Sequence, residues 1–161
     1  MIGFRIDQAK GLFFDRQVVL DATTKTERQA LSKFGAFVRT RAQTSLRRRK
    51  KASRPGRPPS SHVGLLKSKL FFAFDPSAHS VVIGPARLNG TTSQRRLDPK
   101  SKTVPELLEH GGPARLSLFD PGGGRRATRS IFVQPRPFMQ PAFDAELPNA
   151  ADLWRDSLKA G

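Results

Sequence analysis

From Arg28 to Phe74 the chain carries thirteen basic side chains and no acidic one, and Pro55, Pro58 and Pro59 punctuate the middle of that stretch. Proline has no N–H to donate and clashes with the preceding helical turn. Neighbouring like charges repel. The segment RRRKKASRPGRPPSSH, Arg47 to His62, is therefore predicted as a loop. It separates a helical pattern before it from a strand-rich pattern after it. The whole chain has 29 Lys and Arg against 13 Asp and Glu, a net charge of +16. Such a chain favours polyanions or acidic neighbours, and it repels itself unless neutralised. No aromatic residue lies between Val38 and Gly64, so the loop lacks the stacking platform that holds single strands. Contact with DNA phosphates needs only positive charge and reach. Two readings stand at this point: Arg47, Arg48, Arg49, Lys50, Lys51, Arg54 and Arg57 meet DNA or an acidic protein surface, or they form a merely solvated loop.

Before the loop, Asp15 to Leu46 (15–46) is predicted as one long helix. Ala30, Phe34, Phe37, Val38 and Ala42 recur at three-to-four spacing, giving one apolar stripe. Val18, Val19 and Ala22 extend it, Asp15 is a candidate N-cap, and Gly35 is the weak point of the pattern. Met1 to Phe14 is read as a short strand or an ordered arm. After the loop, Leu70–Phe74 and Ser80–Ile83 are strand-like, and Asp75–His79 supplies a turn, so the pair reads as a hairpin. Phe71 and Phe72 are adjacent and must point to opposite faces, so one is core and the other needs a second cover.

Ala86 to Lys102 is polar and basic without periodicity, and is expected to be a mobile loop. Val104–His110 (104–110) is a short helix that tolerates Pro105 in its first turn and ends at Gly111-Gly112. Ala114–Phe119 and Ser130–Gln134 form a second hairpin, whose tip DPGGGRRATR adds Arg125 and Arg126 to the candidate contacts. Gln134–Pro141 is extended, and a final helix covers 143–159, with Pro148 restarting or kinking it. The expectation is one α+β domain over 1–161. A small antiparallel sheet of two hairpins (63–143) is packed by the long N-terminal helix and the C-terminal helix, with long basic loops. Phe34, one of Phe71 and Phe72, Phe74, Phe132 and Phe143 are assigned to packing, and Trp154 to core or an oligomer contact.

Catalytic motifs are missing. Without cysteine there is no disulfide, thiolate metal site or Cys nucleophile. Glu106 and Glu109 lie near His110, but no second His is close in sequence, so a polar helix end is the favoured reading. The triple glycine lacks the Gly-Lys-Ser/Thr ending of a phosphate loop, and no G-x-S-x-G elbow occurs. No enzyme activity, metal or cofactor is expected. No apolar run approaches the roughly 20 residues that span a bilayer, and MIGFRIDQAK lacks the apolar core of a signal peptide. Residence in the cytoplasm until assembly is expected.

Four short segments then occur in order: G-L-L-K-S at Gly64–Ser68, S-V-V-I-G-P at Ser80–Pro85, P-E-L-L-E-H-G-G at Pro105–Gly112 and P-R-P-F-M-Q-P-A-F at Pro135–Phe143. Together with the long helix, this series resembles the minor tail or tail-completion (head–tail joining) proteins of long-tailed, lambda-like bacteriophages. The matching positions are Gly64, Leu65, Gly84, Pro85, Glu109, Gly111, Pro137, Phe138 and Pro141. An aromatic usual in the family before the acidic-plus-glycine element is absent here, where Val104-Pro105-Glu106-Leu107 stands. The resemblance covers roughly Leu31 to Leu158. It implies a homo-oligomeric ring, a hexamer matching tail symmetry, in the neck of the virion. Its neighbours there would be a head-side connector or stopper and a tail terminator or tail tube, with DNA passing through. It does not distinguish completion from termination of the tail. A basic, non-specific nucleic-acid-binding protein is the competing class.

Overall fold

The computed structural model describes residues 16–60, 64–88, 90–92, 95–97, 102–119 and 124–157. The Asp15 cap, the 1–14 arm and most of the glycine tip lie outside the described residues. The described chain is a mixture of helix and antiparallel strand. Helix α1 runs Arg16–Ser45, 30 residues. Its buried side chains are Ala30, Phe34, Val38 and Ala42, with Gly35 buried beside them, and Leu46 continues the series just past its end. A side chain every fourth residue is one narrow ridge. That ridge packs against β1 (Leu70–Asp75) and β2 (Ser80–Pro85), which pair in the register Leu70↔Pro85 to Asp75↔Ser80. Phe34, Val38, Ala42, Leu46, Leu66, Leu70, Phe138 and Ala142 form the larger core. Leu66 comes from the single-turn helix α2 (Leu65–Ser68), which Gly64 enters at a φ of 78°.

Gly35 is a contact point instead of a weak point. A Cβ there would lie 2.8 Å from Val81 Cγ2 and 3.0 Å from Phe72, so its absence lets helix and hairpin approach. The alternative between Phe71 and Phe72 resolves the same way: Phe72 faces α1, and Phe71 is 52% exposed. The hairpin turn is closed by the Asp75 carboxylate, which accepts from Ser77 N at 2.9 Å, Ser77 Oγ at 2.6 Å and Ala78 N at 3.3 Å. Those bonds, the Ser77 hydroxyl first, hold the Asp75 pKa below its ordinary value.

The apolar stripe stops short of expectation. Every residue from 16 to 25 is exposed, including Val18, Val19 and Ala22, and Phe37 is also exposed. The hairpin turn meets α1 at Glu27, whose carboxylate lies 2.8 Å from His79 Nδ1. The first ten residues of α1, roughly 15 Å at helical rise, extend past that point.

The expected mobile loop at Ala86–Lys102 contains two short strands, β3 (Gly90–Thr92) and β4 (Arg95–Leu97). They add to β5 (Gly112–Phe119) and β6 (Arg125–Val133) in a four-stranded sheet of order β3-β4-β5-β6. Strands of three residues are too short to show alternation, and the lone apolar side chain Leu97 anchors β4 opposite Leu116. The described residues thus form two sheets, one two-stranded and one four-stranded, in place of a single sheet of two hairpins. The second sheet closes on helix α3 (Val104–His110) through Leu97, Leu107 and Ala114. Ile131 and Val133 face that core, so Phe132 between them faces away and is 67% exposed, contrary to its expected packing role.

The C-terminal helix begins earlier than expected, as α4 (Gln140–Glu146). A 3-10 turn follows at Leu147–Asn149, where Pro148 interrupts the helix, and then α5 (Ala150–Ser157). Phe143 stays on the rim, 37% exposed, with its ring edge-on to Phe34 at 5.6 Å between centroids. Phe74 is half-buried, and Trp154 is exposed. Among the described residues, no helix is long and apolar enough to cross a membrane.

Candidate functional site: an arginine-lined cleft and the knot that holds it

The proline-rich segment is pinned, not loose. Pro55 and Gly56 occupy the centre of a turn closed by Arg57 N–H donating to Arg54 C=O at 3.2 Å. Gly56 has a φ of 74°, the left-handed value that a Pro-Gly turn requires at its third position. The turn is tied to the far end of the chain. Gly56 N–H donates to Pro135 C=O at 2.9 Å, and Arg136 Nε donates to Ser53 C=O at 3.1 Å. Pro59 is buried. The two arginines at the ends of the turn are thereby held beside the C-terminal end of α1.

Between them lies a cleft of about 850 Å³. Arg41, Arg47 and Arg49 line it from α1 and its exit, and Arg54 and Arg57 from the turn. Five arginines thus line one cavity, and among the described residues no carboxylate or lysine joins them in the lining. Arg41 Nε also donates to Glu146 Oε1. With Asn149 Nδ2 donating to the other oxygen at 3.0 Å, Arg41 holds the Glu146 pKa below its ordinary value of 4.5. Ser53 Oγ is buried in the wall without a hydrogen-bond partner among the described residues.

Of the expected contacts, Arg47, Arg49, Arg54 and Arg57 are brought together here, while Arg48, Lys50 and Lys51 are exposed on the same loop outside the lining. Arg125 and Arg126 begin β6, and their side chains lie outside the described residues. Arg41 was missed because it belongs to the helix. Its place five residues before Leu46, where the helix runs into the basic loop, is the signal that could have found it.

The motif positions meet in a second arrangement. The Glu109 carboxylate accepts backbone N–H groups from Phe138 at 3.0 Å, Met139 at 3.1 Å and Gln140 at 2.8 Å. It therefore caps the start of α4 from a different part of the chain, where free N–H groups and the helix dipole both favour negative charge. Arg136 N–H donates to Leu108 C=O, which ties the same two segments again. Gly111 has a φ of 68°, and a Cβ on it would lie 2.8 Å from Val133 O and 2.9 Å from Pro135 Cδ. Only glycine fits that crossing. Phe138 is 1% exposed, at the centre of the larger core. Pro137 is half-buried, and Pro141 sits in the first turn of α4, where its missing N–H is not needed. Gly84 stands opposite the exposed Phe71 and Pro85 opposite Leu70, while Leu65 is exposed.

Glu106 is likewise a cap: its carboxylate accepts from Thr103 N at 3.2 Å, completing a capping box at the start of α3. Both carboxylates near His110 thus bind backbone N–H groups. Among the described residues, no group of three or more His, Cys, Asp or Glu could hold a metal ion. Compared with protein-family models, curated proteins and solved structures, the chain matches none.

Proposed function

We propose that this chain is a non-catalytic structural protein of a tailed phage. It is read as a tail-completion subunit that forms a ring, a hexamer, at the head–tail junction, with DNA passing through it. Its partners are copies of itself, a head-side connector or stopper, and the tail terminator or tube. It resides in the host cytoplasm during assembly and in the virion afterwards. The Glu109 knot carries this reading. Two of the four segments behind the resemblance, Pro105–Gly112 and Pro135–Phe143, are joined by the three N–H bonds to one carboxylate. Glu109, Gly111 and Phe138, which the resemblance singles out there, make the contacts of that junction. Apolar side chains left at the surface add support. Phe71, Ala73 and Val82 share the outer face of the β1–β2 hairpin and are exposed, as is the start of α1. Such surfaces suit a subunit that buries them in an assembly.

Electron microscopy of particles made without this protein tests the reading. Tails of normal length that fail to join filled heads are expected. Abnormally long tubes would move the assignment to the tail terminator. Complete particles with attached tails and retained DNA would reject it.

The arginine cleft favours a second reading, a basic nucleic-acid-binding protein acting as a monomer. Light scattering on the purified chain separates the two, because that reading requires a monomer that binds duplex tightly and with strong salt dependence.

A further inference from the structure

We infer that the cleft between the end of α1 and the Arg54–Arg57 turn is a phosphate-binding site that seats a stretch of nucleic-acid backbone. This goes beyond the neck reading and does not depend on ring formation. Several observations converge on it.

The charge is concentrated by folding, not only by sequence. Arg41, Arg47 and Arg49 reach the cavity from one side, and Arg54 and Arg57 from a turn tied down by Pro135 and Arg136. Among the described residues Glu146 is the carboxylate paired with this set, and it is committed to Arg41. Four further arginines around one cleft offer an entering anion several charged donors at once.

The residue type is selective. Lys50 and Lys51 lie in the same basic run, yet among the described residues the lining contains arginine and no lysine. Arginine presents a planar fork of donors that matches phosphate oxygens in pairs, whereas lysine acts as a point charge. Ser53 Oγ, buried within the same wall, has no hydrogen-bond partner among the described residues.

Size and lining then choose the ligand. About 850 Å³ is near the upper end of ordinary ligand sites, which run roughly 300–1,000 Å³. It exceeds what one phosphate ion fills. A DNA strand offers one phosphate about every 3.4 Å of rise, dense enough for neighbouring phosphates to meet both walls. Among the described residues no aromatic side chain lines the cleft, so the bases have nothing there to stack on and remain outside. Binding is therefore to backbone and indifferent to sequence.

The test is fluorescence anisotropy of the full chain with two short labelled DNA duplexes of unrelated sequence, across a salt series. Both duplexes should bind alike. Arg54→Gln with Arg57→Gln should weaken binding about tenfold or more near physiological salt, and lower the slope of log affinity against log salt by about two. Lys50→Gln with Lys51→Gln removes the same charge outside the cleft and should cost about threefold or less. Equal losses from the two pairs would overturn the site in favour of diffuse charge. Displacement of the duplex by polyglutamate as readily as by unlabelled duplex would overturn it in favour of an acidic protein. Equal displacement by inorganic phosphate would reduce it to an isolated-ion site and overturn the backbone claim. Should the turn variant fail to fold, Arg47→Gln with Arg49→Gln tests the opposite wall against the same expectations. Failure of the chain to form rings would leave this result intact, and rings that ignore DNA would overturn the cleft alone.

Discussion

Around α1, side chains at every fourth position from Ala30 to Leu46 meet a hairpin, α2 and the start of α4, and eight buried residues share one core. The four-stranded sheet has more strands, but among the described residues its buried core is Leu97, Leu107 and Ala114. Its ladder is mostly one long hairpin, β5 with β6, and β4 is held by a three-residue pairing. Hydrogen bonding alone contributes little net stability, because water offers the unfolded chain the same bonds. Apolar burial decides the ranking. The helix–hairpin body should therefore be the stable unit, and the larger sheet a weaker appendage fixed to it by the Glu109 knot.

The largest effect should come from Phe138→Ala. Phe138 is fully enclosed in the larger core, and truncations of that kind cost about 3–5 kcal/mol. A chemical-denaturation midpoint should fall accordingly, and a marginal domain would be largely unfolded. Leu107→Ala should cost less, about 2 kcal/mol at the low end for buried leucine, because its core is thin and can collapse into the gap. Amide exchange should show that loss confined to β4, β5 and β6, with α1 still protected. Equal and global losses from the two truncations would break the distinction between the regions.

Glu109→Gln acts on the connection. It removes the charge and one of two oxygens that serve three N–H donors, for an expected loss of about 1–2 kcal/mol. The amides of Phe138, Met139 and Gln140 should exchange faster, and the sheet should begin to melt apart from the body. One unchanged cooperative transition would show that the knot is not what couples them.

The legibility of these two regions differs for the same physical reason. The helix and first hairpin announce themselves by periodicity: a stripe along α1, and Phe and Val in runs on either side of a DPSAH turn. The sheet built around Leu97 does not, because a three-residue strand carries one inward side chain and its partner is distant in sequence. Gly35 looked like a flaw because helix propensity is local, whereas its value lies in the approach of Val81. The exposure of Val18 and Val19 was equally hidden, since a stripe does not say where its partner ends. At the cleft, the basic run was plain, but its two walls were not. The Pro-Gly turn and its ties to Pro135 and Arg136 are long-range, and they made Arg41 part of the site.

A smaller effect belongs to pH and to the body alone. The Glu146 pKa is lowered in the folded chain by Arg41 and Asn149. A carboxylate with a lowered folded pKa adds stability above its unfolded value near 4.5, and that contribution fades as pH falls through the folded value. The melting temperature of the wild-type chain should therefore decline below about pH 4.5 more steeply than that of Glu146→Gln, and the two curves should converge in strong acid. Parallel curves would mean that the Arg41 pair adds nothing to folding.

The smallest effect on stability tests the outer surface of the same body. Val82 is 64% exposed on the hairpin face that also carries Phe71 and Ala73. A polar replacement at such a site should alter monomer stability by no more than about 0.5 kcal/mol. If the face is covered by a neighbouring subunit, Val82→Ser should instead weaken self-association, seen by light scattering over a concentration series, while the denaturation midpoint of the monomer stays put. The inner face answers to packing and the outer face to assembly, so one hairpin would report both. Unchanged association with Val82→Ser would leave the outer face an ordinary solvated surface and would remove the apolar support for a ring.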